Sequence, residues 1–261
     1  MTRDPALPRE ARVRTALCIV AVLGLLVSGC ASQNASQGDI SDPLEPINRG
    51  LFAFNDVADK YVMRPVAVGY TWLLPAVVRT GINNFFDNIS YPVDAVNALL
   101  QGKVQQFASD SARIVINTTL GFGGFLDPAT AAGLAKNNED FGQTLGVWGV
   151  PDGPYLVIPF FGPRTFRSGA GDLVDIQYSP QFNLGRSGIR TKVNIVWLIH
   201  QRSTLLGVDQ EIERAFDRYA FLRDSYMQNR RYLRYDGNPP EEDYFLDEEF
   251  DDEFDEEFDE E

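Results

Sequence analysis

Residues 78–128 read VRTGINNFFDNISYPVDAVNALLQGKVQQFASDSARIVINTTLGFGGFLDP, and the spacing of their apolar residues decides the fold class. Val78, Ile82, Phe85 and Ile89 fall at i, i+4, i+7 and i+11, one face of a helix. Asp87–Pro92 breaks that run, and Pro92 suits the first turn of a second helix carrying Val93, Val96, Leu99 and Leu100. Gly102 fits its C-terminal stop. A third helix follows, with Val104, Phe107, Ala108, Ser111, Val115 and Thr118 at helical spacing up to Leu120. The period-two alternation expected of strands is scarce along the whole chain. The class is therefore all-α, and a barrel is rejected.

Downstream, Val208, Ile212, Ala215, Tyr219, Leu222, Tyr226 and Leu233 keep one face apolar and predict the longest helix, ending near Gly237. Ile195–His200 reads as a mostly buried helix. Between the helices lie two stretches that are glycine-rich and aromatic at once. The first is Thr119–Pro128. The second, Phe141–Gly171, holds seven glycines and four prolines around Tyr155–Phe161. Surface loops are usually polar, so these suit irregular backbone packed in protein or against a lipid-facing wall.

Charge is concentrated at the ends. The chain of 261 residues has a net charge of -14, yet residues 241–261 alone hold 15 acids and no base. The body, residues 42–240, is close to neutral and lacks the basic face a nucleic-acid binder needs. At the other end, Arg9, Arg12 and Arg14 precede the 13-residue apolar run Thr15–Val27, then Ser28, Gly29 and Cys30. A run this short is a secretion signal rather than a spanning helix. Val27-Ser28-Gly29-Cys30 resembles a bacterial lipobox, which implies cleavage before Cys30 and acylation of that residue. Several acyl chains make anchoring effectively permanent. Ala31 at the second mature position favours the outer membrane, on its periplasmic side. The domains are thus a signal (1–29), a lipidated tether (30–41), a helical body (42–240) and an acidic tail (241–261). The tail is expected to be disordered. Leu246, Phe250, Phe254 and Phe258 recur every four residues there, a stripe suited to docking on a partner. Arg230, Arg231 and Arg234 stand just before the tail and form a rival, internal partner for it.

Little enzymatic chemistry is available. Cys18, Cys30 and His200 are the whole supply of thiols and imidazoles, too few for a Cys/His zinc site. Gly121–Leu126 lacks the third glycine of a dinucleotide loop, and no G-x-S-x-G elbow occurs. His200 reads as a satisfied structural residue, and Asp140 as a helix cap rather than half of a carboxylate pair with Glu139. No catalytic residue, metal or cofactor is expected.

Five segments in order carry a resemblance: Asp42–Arg49, Arg64–Tyr70, Asn117–Asp127, Phe141–Val150 and Gly153–Pro163. They resemble the MlaA/VacJ family of outer-membrane lipoproteins over residues 42–172, more loosely to 240. The resemblance implies a single ring-like helical domain lying in the inner leaflet of the outer membrane, bound to a trimeric porin. It implies non-enzymatic phospholipid transport: an amphipathic channel removes misplaced phospholipid from the outer leaflet and passes it to a periplasmic carrier of the MlaC type. On this reading Gly121, Phe122, Gly123, Gly124 and Phe125 are channel or gating candidates. Tyr155, Leu156, Ile158, Phe160 and Phe161 are candidates to face lipid chains. The alternative is a structural lipoprotein that tethers envelope components, which gives no reason for the two glycine/aromatic stretches.

Overall fold

The structure, a computed structural model, describes residues 42–183 and 187–240. The readings on the signal, Cys30 and the tail residues Leu246, Phe250, Phe254 and Phe258 lie outside the described residues.

Helix α1 (Glu45–Ala58) runs through a π turn (Asp59–Met63) into α2 (Arg64–Leu73). Leu74 then turns extended, as a residue before proline is pushed to do, and Pro75 leads into α3 (Ala76–Leu100). The chain bends by 117° at this corner. Helix α4 (Val104–Thr119) packs back along α3. Gly102, at φ +80°, closes α3 with Lys103 N–H donating to the Ala98 carbonyl at 2.9 Å, as expected.

The break expected at Asp87–Pro92 does not occur: α3 is one helix of 25 residues, the longest described, with Pro92 inside it. The Ser90 hydroxyl donates to the Asp87 carbonyl at 2.9 Å in this turn, and Asn88, bonded to Thr118, and Tyr91, beneath Arg113, hold the flanking turns to α4. Tertiary packing overrides the proline.

Two short helices follow, α5 (Pro128–Ala131) and α6 (Phe141–Val147), each begun by an aspartate cap, Asp127 and Asp140. A β-hairpin comes next, which departs from an all-helical reading. Strands β1 (Tyr155–Ile158) and β2 (Gly162–Thr165) pair antiparallel, Tyr155 opposite Thr165 and Ile158 opposite Gly162. The open edge of β1 is closed by side chains of α1. Asn48 donates to the Tyr155 carbonyl (2.9 Å) and accepts from Val157 N–H (3.0 Å). Asn55 repeats the arrangement on Ile158 (3.0 Å) and Phe160 (2.8 Å). Two asparagines seven residues apart thus replace a third strand.

Thr165 and Ser168 form a capping box that starts α7 (Phe166–Tyr178). Then come α8 (Pro180–Asn183), α9 (Ser187–Thr204), a 3₁₀ turn (Leu205–Gly207), α10 (Asp209–Arg214) and α11 (Arg218–Arg234). The single long helix expected from Val208 onward is two. Ala215 is extended, and the Asp217 carboxylate accepts from Tyr219 and Ala220 N–H, a cap in mid-pattern. Helix α9 is also less buried than expected: Ile195, Val196 and Leu198 are exposed, and His200 and Ser203 turn inward.

Apolar and polar residues are distributed inside out. Arg113, Gln143, Asn48, Asn97, Thr144, Thr165 and Asp110 are the largest fully buried side chains, and the apolar core gathers around Tyr155, Val157 and Tyr219. Trp72 (84% exposed), Val77 (83%) and Phe122 (80%) face outward.

Replacing Asn48 with Ala strands a buried carbonyl and a buried amide of β1. Denaturant unfolding in detergent should show a loss of about 2–3 kcal/mol, with Asn48→Asp or Asn48→Gln retaining part of it.

Candidate functional site

The glycine loop after α4 is built by its own backbone. Gly123 and Gly124 donate to the Thr118 and Asn117 carbonyls (3.0 and 2.9 Å), and Leu126 donates to Gly121 (2.9 Å). A side chain on Gly121 would collide with the carbonyl oxygens of Asn117 and Leu126. Gly124, at φ +96°, presses on Asn88, whose Cβ would lie 2.5 Å from an added methyl, whereas Gly123 (φ +72°) faces open space. Phe122 is a phenylalanine in the left-handed region (φ +53°), and it points outward. Phe125 packs on Gly81 and, at 5.6 Å, on the ring of Phe85.

Asp127 anchors the loop. It takes two bonds from the buried Arg113 guanidinium (2.8 and 2.9 Å), one from Asn117 (3.0 Å) and two from Thr130 (2.6 and 3.1 Å). Burial opposes its ionisation. The hydrogen bonds from Thr130 and Asn117 and the Arg113 charge outweigh it and hold the carboxyl far below the usual range.

The hairpin presents a second exposed aromatic tip. Phe160, also in the left-handed region (φ +65°), stands edge-on to Phe54 at 5.2 Å, with Phe161 exposed beside it. Leu156 and Ile158 are partly buried. Tyr155 turns inward against Tyr219 and Tyr226, 6.1 and 6.2 Å away. It is core, and the strand's alternation removes it from the lipid-facing set. The glycine loop and the hairpin share no hydrogen bond or ring contact among the described residues. One packs on α3, the other on α1.

Between α3, α4, α6 and α7 lies a polar interior that sequence reading missed. Thr144 donates to Asn97 (2.9 Å), and Asn97 donates to Asp175 (3.1 Å), which also accepts from Phe141 N–H (2.8 Å). Glu139 is fully engaged by Gln101, Lys103 and Gln106 at 2.8–2.9 Å. Asp110, with no exposed surface, takes one bond from Asn137 (2.9 Å), and its other oxygen has no partner among the described residues. Asp94, 7% exposed, accepts no hydrogen bond among the described residues. Burial, with Asp110 and Asp175 nearby, pushes its carboxyl well above the usual carboxylate range. Burial likewise lifts Asp175 to about 6. Asp94 lies on the face of α3 that is buried with Tyr91, Ala95 and Ala98, away from the stripe of Val96, Leu99 and Leu100, which is exposed.

His200 behaves as a structural histidine. Its Nδ1 lies 3.0 Å from the Tyr70 hydroxyl and its Nε2 3.2 Å from Asn83 Oδ1, tying α9 to α2 and α3. Burial lowers its pKa, so the ring is neutral, with Nε2–H donating to Asn83 and Nδ1 accepting from Tyr70. Among the described residues no group of His, Cys, Asp and Glu has metal-site geometry. Asp140 caps α6 and pairs with Arg230 (3.0 Å).

The family pattern described as MlaA lipoprotein matches residues 40–233. The intermembrane phospholipid transport system lipoprotein MlaA of Escherichia coli K12 is 36% identical over 212 residues, 80% of this chain and 84% of that protein. The protein of the same name from Haemophilus influenzae is 32% identical over 232 residues, 86% of this chain and 93% of its own length. A chain from the solved structure "Structural basis for maintenance of bacterial outer membrane lipid asymmetry" superposes with a TM-score of 0.68 at 36% identity. That match covers 75% of this chain and all of the other.

Two outcomes follow from the geometry. Asp94 has its folded pKa raised, so its contribution to stability is complete at low pH and is lost as pH rises through that value. Melting temperatures of Asp94→Asn should therefore exceed the parent's at pH 8, and the gap should close towards pH 4. The two adjacent glycines should also separate. Gly123→Val costs about 1–2 kcal/mol of left-handed strain, while Gly124→Val adds the collision with Asn88 and loses about 3 kcal/mol or more by denaturant unfolding.

Proposed function

The chain belongs to the MlaA lipoprotein family, and we propose that it works as that family's phospholipid-transport lipoproteins do. It is a transport lipoprotein, not an enzyme: it moves phospholipid between membranes and so maintains the lipid asymmetry of the outer membrane. The inside-out distribution of its residues carries the reading at the level of physics. A phospholipid needs an apolar wall for its chains and a polar path for its headgroup, with no bond made or broken. Large apolar side chains cover the outside of α1, α2 and α3, while the interior is lined by amides, hydroxyls and carboxyls. Large exposed apolar surfaces mark membrane or protein contacts.

Anchored through Cys30, the body sits in the inner leaflet of the outer membrane as a ring of helices against a trimeric porin. No single described helix is long and apolar enough to cross a membrane, which suits residence in one leaflet, and the bent pair 45–73 and 76–100 forms its rim. Misplaced phospholipid enters past the exposed aromatics Phe122, Phe125, Phe160 and Phe161 and leaves to a soluble periplasmic carrier of the MlaC type. Gly123, with open space around it, is the hinge candidate of the glycine loop. Gly121 and Gly124 are packed against their neighbours and hold its shape.

Cells lacking the protein should accumulate intact phospholipid in the outer leaflet, measured by outer-leaflet labelling and lipid extraction. No lipid change would leave a tethering lipoprotein, and a new lyso-lipid would point to hydrolysis. Cys30→Ala should fail to complement because most of the protein leaves the outer-membrane fraction. A Cys30→Ala chain that stayed there fully and restored asymmetry would overturn the anchoring role.

A further inference from the structure

The buried arginines of this body are matched to acids: Arg113 to Asp127, Arg167 to Asp152, Arg202 to Asp59 and Asp209, Arg230 to Asp140. Arg79 is different. It stands in the first turns of α3, half-buried, just past the Leu74–Pro75 corner. Its Nε is buried without a partner, and none of its donors is engaged among the described residues. Its charge reaches the Tyr70 hydroxyl and the His200 ring, which are bonded to each other, His200 being bonded also to Asn83. Around this corner the surface is apolar, with Trp72 and Val77 almost wholly exposed.

Only the Nε of Arg79 is buried, and its Nη donors are unbonded among the described residues, so they can take an anion from outside the chain. The match is a phosphate group, which takes two parallel N–H bonds from a guanidinium. A carboxylate from a protein partner would satisfy the charge but gives no reason for the apolar rim. Acyl chains do. We propose that Arg79 is a phosphate-binding residue of this protein, holding the phosphodiester of a phospholipid at the α2–α3 corner while the chains lie on Trp72 and Val77. The assignment rests on the transport reading above and deepens it by naming where a headgroup is held.

The sequence supplies its own probe, since His200 is the sole histidine and lies within reach of the Arg79 charge. Arg79 lowers the His200 pKa and Asp87 raises it, so neutralising Arg79 lets it rise. The experiment is a His200 NMR titration on untagged full-length protein in dodecyl maltoside, with dihexanoylphosphatidylglycerol, inorganic phosphate or dihexanoylglycerol added. The expected result is an upward shift of a few tenths of a pH unit with the phospholipid and none with the phosphate-free glyceride. Arg79→Gln should start from the higher value and respond to neither, and Arg79→Lys should respond weakly. Because Arg79 bonds nothing in the fold, Arg79→Gln should melt within a few degrees of the parent. An equal response to inorganic phosphate at the same concentration would identify the anion alone as the ligand. A response confined to the lipid identifies the headgroup. An unchanged His200 in the parent, or an Arg79→Gln chain that responds as the parent does, overturns the assignment. A partner carboxylate is the ligand instead if only the purified porin complex shifts His200. The transport reading fails separately, if the deletion strain shows no outer-leaflet phospholipid.

Discussion

Arg113 has no exposed surface, and its guanidinium can remain there only because Asp127 takes it in two parallel bonds. A buried cation without its anion would cost several kcal/mol. The pair therefore determines what lies around it. Asp127 must stay at the start of α5, which fixes the exit of the glycine loop. Asn117 must hold Asp127 and Ala129 together, through bonds of 3.0 and 3.1 Å. Tyr91 must sit beneath the guanidinium, its ring centre 5.1 Å away, which keeps α3 helical past Pro92. Arg230 with Asp140 repeats the device between α11 and α6, and Arg202 with Asp59 and Asp209 repeats it between α9, the π turn and α10. A fold whose large apolar side chains point outward is held by such polar bonds, and each of them is directional. Hydrophobic burial specifies much less here than in a soluble bundle of similar size.

This explains which parts were legible in the sequence. Periodicity located α3, α4 and the C-terminal helices because each has one face against the rest of the body, whichever side the apolar residues take. It failed where a polar bond overrides the pattern. Pro92 looked like a boundary because a proline removes a backbone donor, and nothing local announces that Tyr91 and Asn88 pin the flanking turns. Val208–Leu233 reads as continuous because Asp217 falls off the apolar stripe, where a polar residue is unremarkable, while in the fold its carboxylate caps α11. The hairpin escaped because β1 and β2 are four residues each and their edge is completed by Asn48 and Asn55, far away in sequence. An asparagine pair seven residues apart, on one face of a helix, is a signal that can be looked for.

The candidate site was legible by composition and illegible by contact. Glycines between phenylalanines marked the loop after α4, but their spacing does not say which are packed. Gly121 and Gly124 close on carbonyls and on Asn88, and only Gly123 has room. Strand alternation, once the hairpin is known, sorts the Tyr155–Phe161 run into inward Tyr155 and Val157 and the outward tip Phe160 and Phe161. Arg79 and Asp94 carry no motif at all. Their importance lies in what is missing around them, and a missing partner is visible only in three dimensions.

The same pairing logic bears on the acidic tail. Residues 230, 231 and 234 look in sequence like a basic clamp waiting for it. Arg230 is committed to Asp140, its charge held inside the fold, and Arg234 lies over Tyr235 with its carbon 5.5 Å from the ring centre. Arg231 donates to the Pro240 carbonyl at 2.8 Å. Of the three, Arg230 is the one whose charge is already neutralised inside the fold. The body is close to neutral, so its own charges cancel within a few ångströms, and the field felt beyond the Debye length of about 8 Å is set by the tail. A partner drawn by long-range charge is therefore a basic one.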